Sequence, residues 1–216
     1  MYKIIDISNV NSPSIIKEDN TPTINEIKYK DVDLSIYEKF PKVDEIVVLA
    51  CGSSAKEWNG KGVTIGVNDI YKWIKTDYLI CIDTPSSFTN DRADIIRNST
   101  PKTFFTQQNG WNVENKCALY IRKTREIELS FPIFRSYTSA LTACAAAYLI
   151  FGAKRIYIYG ADFITHEKLN GLWDKVKRDF IEFRKVYEEI GGEIYIGTKN
   201  SRLNEVLNFN DKYSKL

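Results

Sequence analysis

The sequence predicts an α/β fold, a Rossmann-like mostly parallel sheet with helices on both faces, plus an N-terminal arm and a lid-like insertion. Three observations carry this. Short β-branched runs recur from residue 44 onward, starting with Ile46-Val47-Val48-Leu49-Ala50. They are apolar without alternation, as strands covered on both faces are. Helical segments fall between them: Ser139 to Phe151 is Ala-rich and apolar nearly all round, whereas Leu172, Val176, Phe180, Phe183, Tyr187 and Ile190 repeat at spacings of three and four. Strand, helix and strand in alternation imply right-handed crossovers and a parallel sheet.

The elements follow in order. Residues 1–43 are rich in Asn, Ser, Pro and Asp and read as an arm or small hairpin; residues 44–216 read as the main Rossmann-like domain. After the first strand, Val63 to Val67, Tyr78 to Ile82, Thr103 to Thr106, Ile156 to Tyr159 and Glu193 to Ile196 supply five more. Gly152 closes the buried helix as a C-terminal cap, and Gly191-Gly192 stops the amphipathic one. Residues 107–135 break the rhythm with Asn109-Gly110-Trp111-Asn112 and the basic run Arg122-Lys123-Thr124-Arg125. Such an insertion is a lid or substrate loop, or an extra hairpin pairing Ala118–Ile121 with Glu126–Leu129.

Composition narrows the function. The chain has 216 residues, 44% hydrophobic and 27% charged, the profile of a globular domain. Its 30 Lys and Arg against 28 Asp and Glu leave +2, which argues against a dedicated polycation for nucleic acid. The longest nearly apolar run, Ala140 to Phe151, is shorter than the ~20 residues a membrane span needs. The opening MYKIIDISNVNS shows no secretory signal. The four widely spaced cysteines and single histidine suit neither a zinc site nor a disulfide framework. A cytoplasmic protein without a resident metal or cofactor is expected, and homo-oligomerisation is left open.

In an open parallel sheet, ligands bind beyond the carboxyl ends of the strands. After the first strand, Gly52-Ser53-Ser54 offers close backbone approach, hydroxyls and free amides to a phosphate; a plain strand-to-helix turn is the alternative. After the second, Asn68 is a ligand for a nucleotide or a cap. After the third, Asp83 is the same, or closes a turn before Pro85. Arg135, Ser136, Thr138 and Ser139 open the buried helix as an anion site, or Thr138 and Ser139 merely cap it. His166, the lone histidine, follows the fifth strand; it is the default general base or acid, or binds substrate, and an inert surface histidine is the alternative. Gly60-Lys61-Gly62 fails as a P-loop because Gly62 stands where Ser or Thr is needed. Asp31-Val32-Asp33 has a D-x-D form but lies in the arm and reads as solvated surface.

Three stretches, IVVLACGSSAKEW with IGVNDIY, SYTSALTACAAAYLIFGAKRIYIYGADF, and GGEIYIGTKNSRLNEV, together resemble one family. It is the Rossmann-like group of bacterial sialyltransferases, pterin pyrophosphokinases and uncharacterised phage and bacterial sugar-transferase-like proteins, and the likeness spans about residues 44–208. The resemblance implies that Gly52, Ser53 and Ser54 cradle nucleotide phosphates and that Asn68 contacts the nucleotide. Ser136, Thr138 and Ser139 would line the pocket, with Gly160 and Asp162 at its floor. His166 would deprotonate an acceptor; failing it, the base would be a carboxylate such as Asp162 or Glu167, or the leaving phosphate itself. The chain departs from the family at Ser139-Ala140, where a glycine is usual, and in the short distance from Asp162 to His166.

The expected function is a glycosyltransferase using a nucleotide sugar, with Arg135 or Arg122 offsetting the charge of the leaving phosphate. A glycan or small molecule is the favoured acceptor; the cluster at Arg122 leaves DNA open. Two rivals are a pyrophosphokinase-type phosphotransferase needing magnesium at Asp83 and Asp162, and a module that sequesters a nucleotide without turnover.

Overall fold

The computed structural model describes residues 33–164 and 171–215. The chain divides into two compact units, the second starting at Phe40. In the first, Asp33 caps a short 3-10 helix, Leu34–Tyr37, by accepting from the Ser35 amide at 2.9 Å. Asp31 and Val32 lie outside the described residues.

The second unit is built on one eight-stranded sheet: β1 (Glu45–Leu49), β2 (Val63–Val67), β3 (Tyr78–Ile80), β4 (Thr103–Thr106), β5 (Lys116–Ala118), β6 (Arg155–Tyr159), β7 (Glu193–Ile196) and β8 (Asn208–Phe209). The order across the sheet is β5-β4-β3-β2-β1-β6-β7-β8, and neighbouring strands pair in parallel. Ile46 to Leu49 and Ile156 to Tyr159 are fully buried, as central strands covered on both sides must be.

Alternate residues of each strand serve opposite faces. On one face, Val47, Leu49, Leu79, Phe104, Tyr157 and Tyr159 form a core with Ile70, Ala93, Ile96 and Trp111. That face is covered by 3-10 turns at Ser53–Glu57 and Asn68–Lys72 and by α1 (Arg92–Arg97). Across the sheet lie α2 (Ser139–Phe151) and α3 (Trp173–Glu189). Phe151 of α2 packs on Tyr78 at 4.5 Å and Phe105 at 6.2 Å between ring centroids. Tyr148 of α2 meets Tyr187 of α3 at 5.7 Å. Gly152 ends α2 in the left-handed region at φ +69°, as its place in the sequence predicts.

Two strands escape the sequence reading because they are short and at the edges. One corrects the insertion. Ala118–Ile121 does not pair with Glu126–Leu129; Lys116–Ala118 instead extends the sheet beside β4, and Ile121 bridges Ile133. The insertion is packed into the domain through buried Trp111, Leu119, Ile121, Ile127 and Ile133. The Trp111 indole donates to the Asp83 carbonyl at 2.8 Å, pinning the insertion to the end of β3.

At the opposite end of the sheet, Glu45 ties down the C-terminal segment. It accepts from Lys212 at 2.6 and 2.7 Å, from Tyr213 at 2.6 Å and from Arg155 at 2.5 Å. Among the described residues, no helix is long and apolar enough to cross a membrane.

Candidate functional site

The strand order reverses between β1 and β6. From β1 the chain proceeds through β2 to β5 on one side; β6 leads to β7 and β8 on the other. Connections leaving such a pair diverge, and the crevice between them is where open α/β sheets bind ligands. Here the sequence-predicted residues after β1 and after β6 meet. The Gly52 amide donates to the Gly160 carbonyl at 2.7 Å, and the Gly160 amide donates to Ser54 Oγ at 2.9 Å. Gly160 sits at φ +73°, and a Cβ there would lie 2.2 Å from the Ala50 carbonyl oxygen. Only glycine allows that approach.

In this structure the Ser-rich turn is met by a carboxylate of the chain itself. Both oxygens of the Asp162 carboxylate face it. Oδ2 accepts from the Ser54 amide at 3.1 Å and from Ser53 Oγ at 3.3 Å, and Oδ1 accepts from Ser54 Oγ. A Cβ on Gly52 would fall 2.5 Å from Asp162 Oδ2. The space Gly52 leaves open is filled by the chain's own anion, because a carboxylate satisfies the same amide and hydroxyl donors a phosphate would. Ser53 remains exposed, whereas Ser54 is buried.

One strand over, Asn68 follows β2 in the left-handed region at φ 51°. Its Oδ1 lies 3.5 Å from Ser139 Oγ, in the first turn of α2. Thr138 is the N-cap of that helix, accepting from the Leu141 amide at 3.2 Å. Ser136 is buried and turned inward: its hydroxyl donates to the Thr138 carbonyl at 2.8 Å and accepts from the Thr138 amide at 2.9 Å. Ser136 and Thr138 therefore shape the loop, and Ser139 presents its hydroxyl to Asn68. The amides of Ser139 and Ala140 make no hydrogen bond among the described residues, the usual condition of first-turn donors awaiting an acceptor.

Asp69 is fixed beside them. Arg92 grips it in a bidentate pair, Nη2 to Oδ1 at 2.7 Å and Nε to Oδ2 at 3.0 Å. Burial would raise the Asp69 carboxyl, but the guanidinium outweighs it and holds the group below the usual carboxylate range. The sequence reading passed over Arg92. Its signal was a cation at the first position of a helix, which the helix dipole disfavours unless a carboxylate compensates. The Cys51 thiol donates to the Val67 carbonyl at 3.1 Å and is pushed well up by burial and by the charge of Asp69.

Asp83 reaches the same edge, after β3. Its carboxylate has no hydrogen-bond partner among the described residues. Desolvation raises it, against the fields of Arg92 and Arg135. Arg135 is exposed, and its side chain likewise makes no ion pair among the described residues. Arg122 does not join them: it pairs with Glu128 at 2.6 Å and donates to the Glu126 carbonyl at 2.6 Å, inside the insertion. Loop carbonyls and a carboxylate nearer in the chain hold the Arg122 guanidinium in this structure. His166 lies outside the described residues. Among the described residues no cluster of three His, Cys, Asp or Glu is placed to hold a metal.

No protein-family model and no curated protein sequence matches this chain. Solved structures do. The sialyltransferase CstII of Campylobacter jejuni, solved with the substrate analogue CMP-3FNeuAc, aligns with a TM-score of 0.51 at 14% identity, over 81% of this chain and 89% of that one. The same enzyme with CMP and a trisaccharide acceptor aligns at 0.50 and 15%, over 80% and 89%. The monofunctional α-2,3-sialyltransferase Cst-I of that organism aligns at 0.51 and 14%, over 81% and 83%. With the reversal of strand order and the Gly52–Gly160 junction already placed, these alignments show that the chain shares the fold of the bacterial sialyltransferases.

Proposed function

We propose that this protein is a glycosyltransferase that moves a sugar from a nucleotide-sugar donor to an acceptor hydroxyl. The observation that carries the reading is the approach of Asn68 to Ser139 across the carboxyl edge, beside two first-turn amides that make no hydrogen bond among the described residues. A nucleotide laid over this edge meets an amide side chain, a hydroxyl and helix donors together. Similar structures have been solved with CMP, with a CMP-sugar analogue and with a trisaccharide acceptor, which supports the same class of ligands here.

In this reading the acceptor oxygen bonds to the anomeric carbon as the bond from that carbon to the phosphate oxygen breaks. The electron pair leaves with the phosphate. Arg135 and the α2 amides offset the developing negative charge where it appears. His166 takes the acceptor proton. The step needs no metal: the cations that serve it belong to the chain.

The test is transfer of labelled sugar from a panel of nucleotide sugars to saccharide acceptors, after a thermal-shift screen has chosen the nucleotide. Transfer should persist in EDTA and fall about 10²–10⁴-fold in His166→Ala, the usual contribution of a positioned base. Tight nucleotide binding with no transfer from any donor would replace the enzyme with a sequestering module. Transfer that stops in EDTA and returns with magnesium would replace it with metal-dependent chemistry.

A further inference from the structure

We propose that the lysine-rich surface around Trp73 is a docking site for the acidic part of a saccharide acceptor. Trp73 follows the turn Asn68–Lys72 and is 43% exposed, unusual for so large an apolar side chain. Its amide donates to the Ile70 carbonyl at 2.8 Å. The Lys56 ammonium sits 3.7 Å from its ring centroid and that of Lys72 5.2 Å away. A surface cavity of about 270 Å³ adjoins it, lined by Lys56, Trp58, Asn59, Trp73, Ile74 and Lys215 among others, with no carboxylate in the lining. Trp58 shapes the wall through its indole, which donates to the Lys61 carbonyl at 2.8 Å.

The charge here is uncompensated. Lys56 and Lys215 line the cavity and Lys72 reaches the Trp73 ring, and none of the three forms a salt bridge among the described residues. Three ammonium groups without a salt bridge among the described residues, around a cavity whose lining holds no carboxylate, make a local positive field that attracts an anion. The exposed indole adds a flat apolar platform. The apolar face of a pyranose covers such a ring, and a carboxylate on that sugar draws Lys56 off the indole and bares it for stacking. The cavity is below the ~300 Å³ of a self-sufficient small-molecule pocket, so it suits one unit of a longer chain. Lys56 and Trp73 lie on the connections that follow Ser54 and Asn68 out of β1 and β2. Preferring a saccharide over a nucleic acid rests on the glycosyltransferase reading.

The experiment titrates the full chain with trigalacturonate, following tryptophan fluorescence, at low salt and at about 1 M salt, where charge attraction is screened. Neutral galactotriose and a thymidine oligonucleotide are run beside it. Trigalacturonate should bind at low salt, about tenfold more weakly in the double variant Lys56→Gln, Lys72→Gln, and not measurably in Trp73→Ala or at high salt. Galactotriose should bind far more weakly. No binding of trigalacturonate, or equal binding by parent and variants, overturns the site. Tighter binding of the oligonucleotide makes the surface one for nucleic acid and overturns the saccharide assignment. Nucleotide-induced thermal stabilisation is measured in the same variants. If it persists while trigalacturonate fails to bind the parent, this surface falls and the donor site stands.

Discussion

The carboxylate of Asp162 fills the turn of Ser54, 108 residues away in the chain, taking its amide at 3.1 Å and its hydroxyl as well. This turn is the anion site that the sequence suggests, and the protein supplies the anion. The contact locks the connection after β6 onto the connection after β1 at the point where the strand order reverses.

Removing that anion should expose the site. Asp162→Ala leaves the donors of Ser53 and Ser54 unpaired, which costs about 1–3 kcal/mol. Inorganic phosphate should then restore part of the loss by binding the vacated donors, and should do less for the parent. Thermal unfolding of both proteins with and without phosphate checks this; equal stabilisation of the two would mean that phosphate binds elsewhere.

Gly52→Ala should act on folding. Its methyl would sit 2.5 Å from the backbone oxygen of Gly160 as well as from Asp162, and backbone cannot step aside cheaply. A destabilisation of about 1–3 kcal/mol is expected, about 5 °C in Tm for a domain of this size. An unchanged Tm would show that the junction relaxes.

Asn68 separates backbone from side chain. Asn68→Gly keeps the φ of 51° without strain, so Tm should hold while nucleotide affinity falls about tenfold through the lost side-chain hydrogen bond. Asn68→Ala should lose similar affinity and also some stability, because alanine resists the left-handed region. Calorimetry with the nucleotide chosen by the thermal-shift screen, beside melting curves, distinguishes the two effects. Equal affinity in all three proteins would remove Asn68 from the site.

The two arginines named for phosphate charge should part company. Arg135→Ala should weaken nucleotide binding several-fold and lower transfer, since its side chain is exposed and unpaired among the described residues. Arg122→Ala should leave nucleotide affinity alone and lower stability, since it breaks the ties to Glu128 and to the Glu126 carbonyl. The reverse pattern in binding and melting data would exchange their roles.

Glu45 sets an acid limit. Burial alone would raise its carboxyl, but hydrogen bonds from Lys212, Tyr213 and Arg155 bring it down to about 2, from 4.5 in the free residue. A lowered folded-state value means that the stabilisation is fully present above about pH 4.5 and fades as pH falls toward 2. Glu45→Gln should therefore melt below the parent at neutral pH, and the gap should shrink as the solution is acidified through that window. A gap independent of pH would show that the glutamate acts by shape and not by charge.

Sequence by itself determined the elements whose signal is local. Ile46 to Leu49 reads as a strand buried on both faces because four consecutive apolar residues leave no polar side to turn outward. Ser139–Phe151 is bounded by Thr138 and Gly152 in sequence as in structure, because caps act within one turn. The carboxyl-edge positions of Asn68 and Ser139 followed from the same local reading. Tertiary structure alone decided partners. Edge strands β5 and β8 are too short to announce themselves and exist because β4 and β7 offer unpaired edges. Arg92 joins Asp69, and Arg122 turns into its own insertion instead of the site. Asp162 reaches the Ser53-Ser54 turn. A row of amides and hydroxyls is equally satisfied by a carboxylate from inside the chain or by a phosphate from outside it. Which one arrives depends on where β6 is laid beside β1, and no local pattern encodes that.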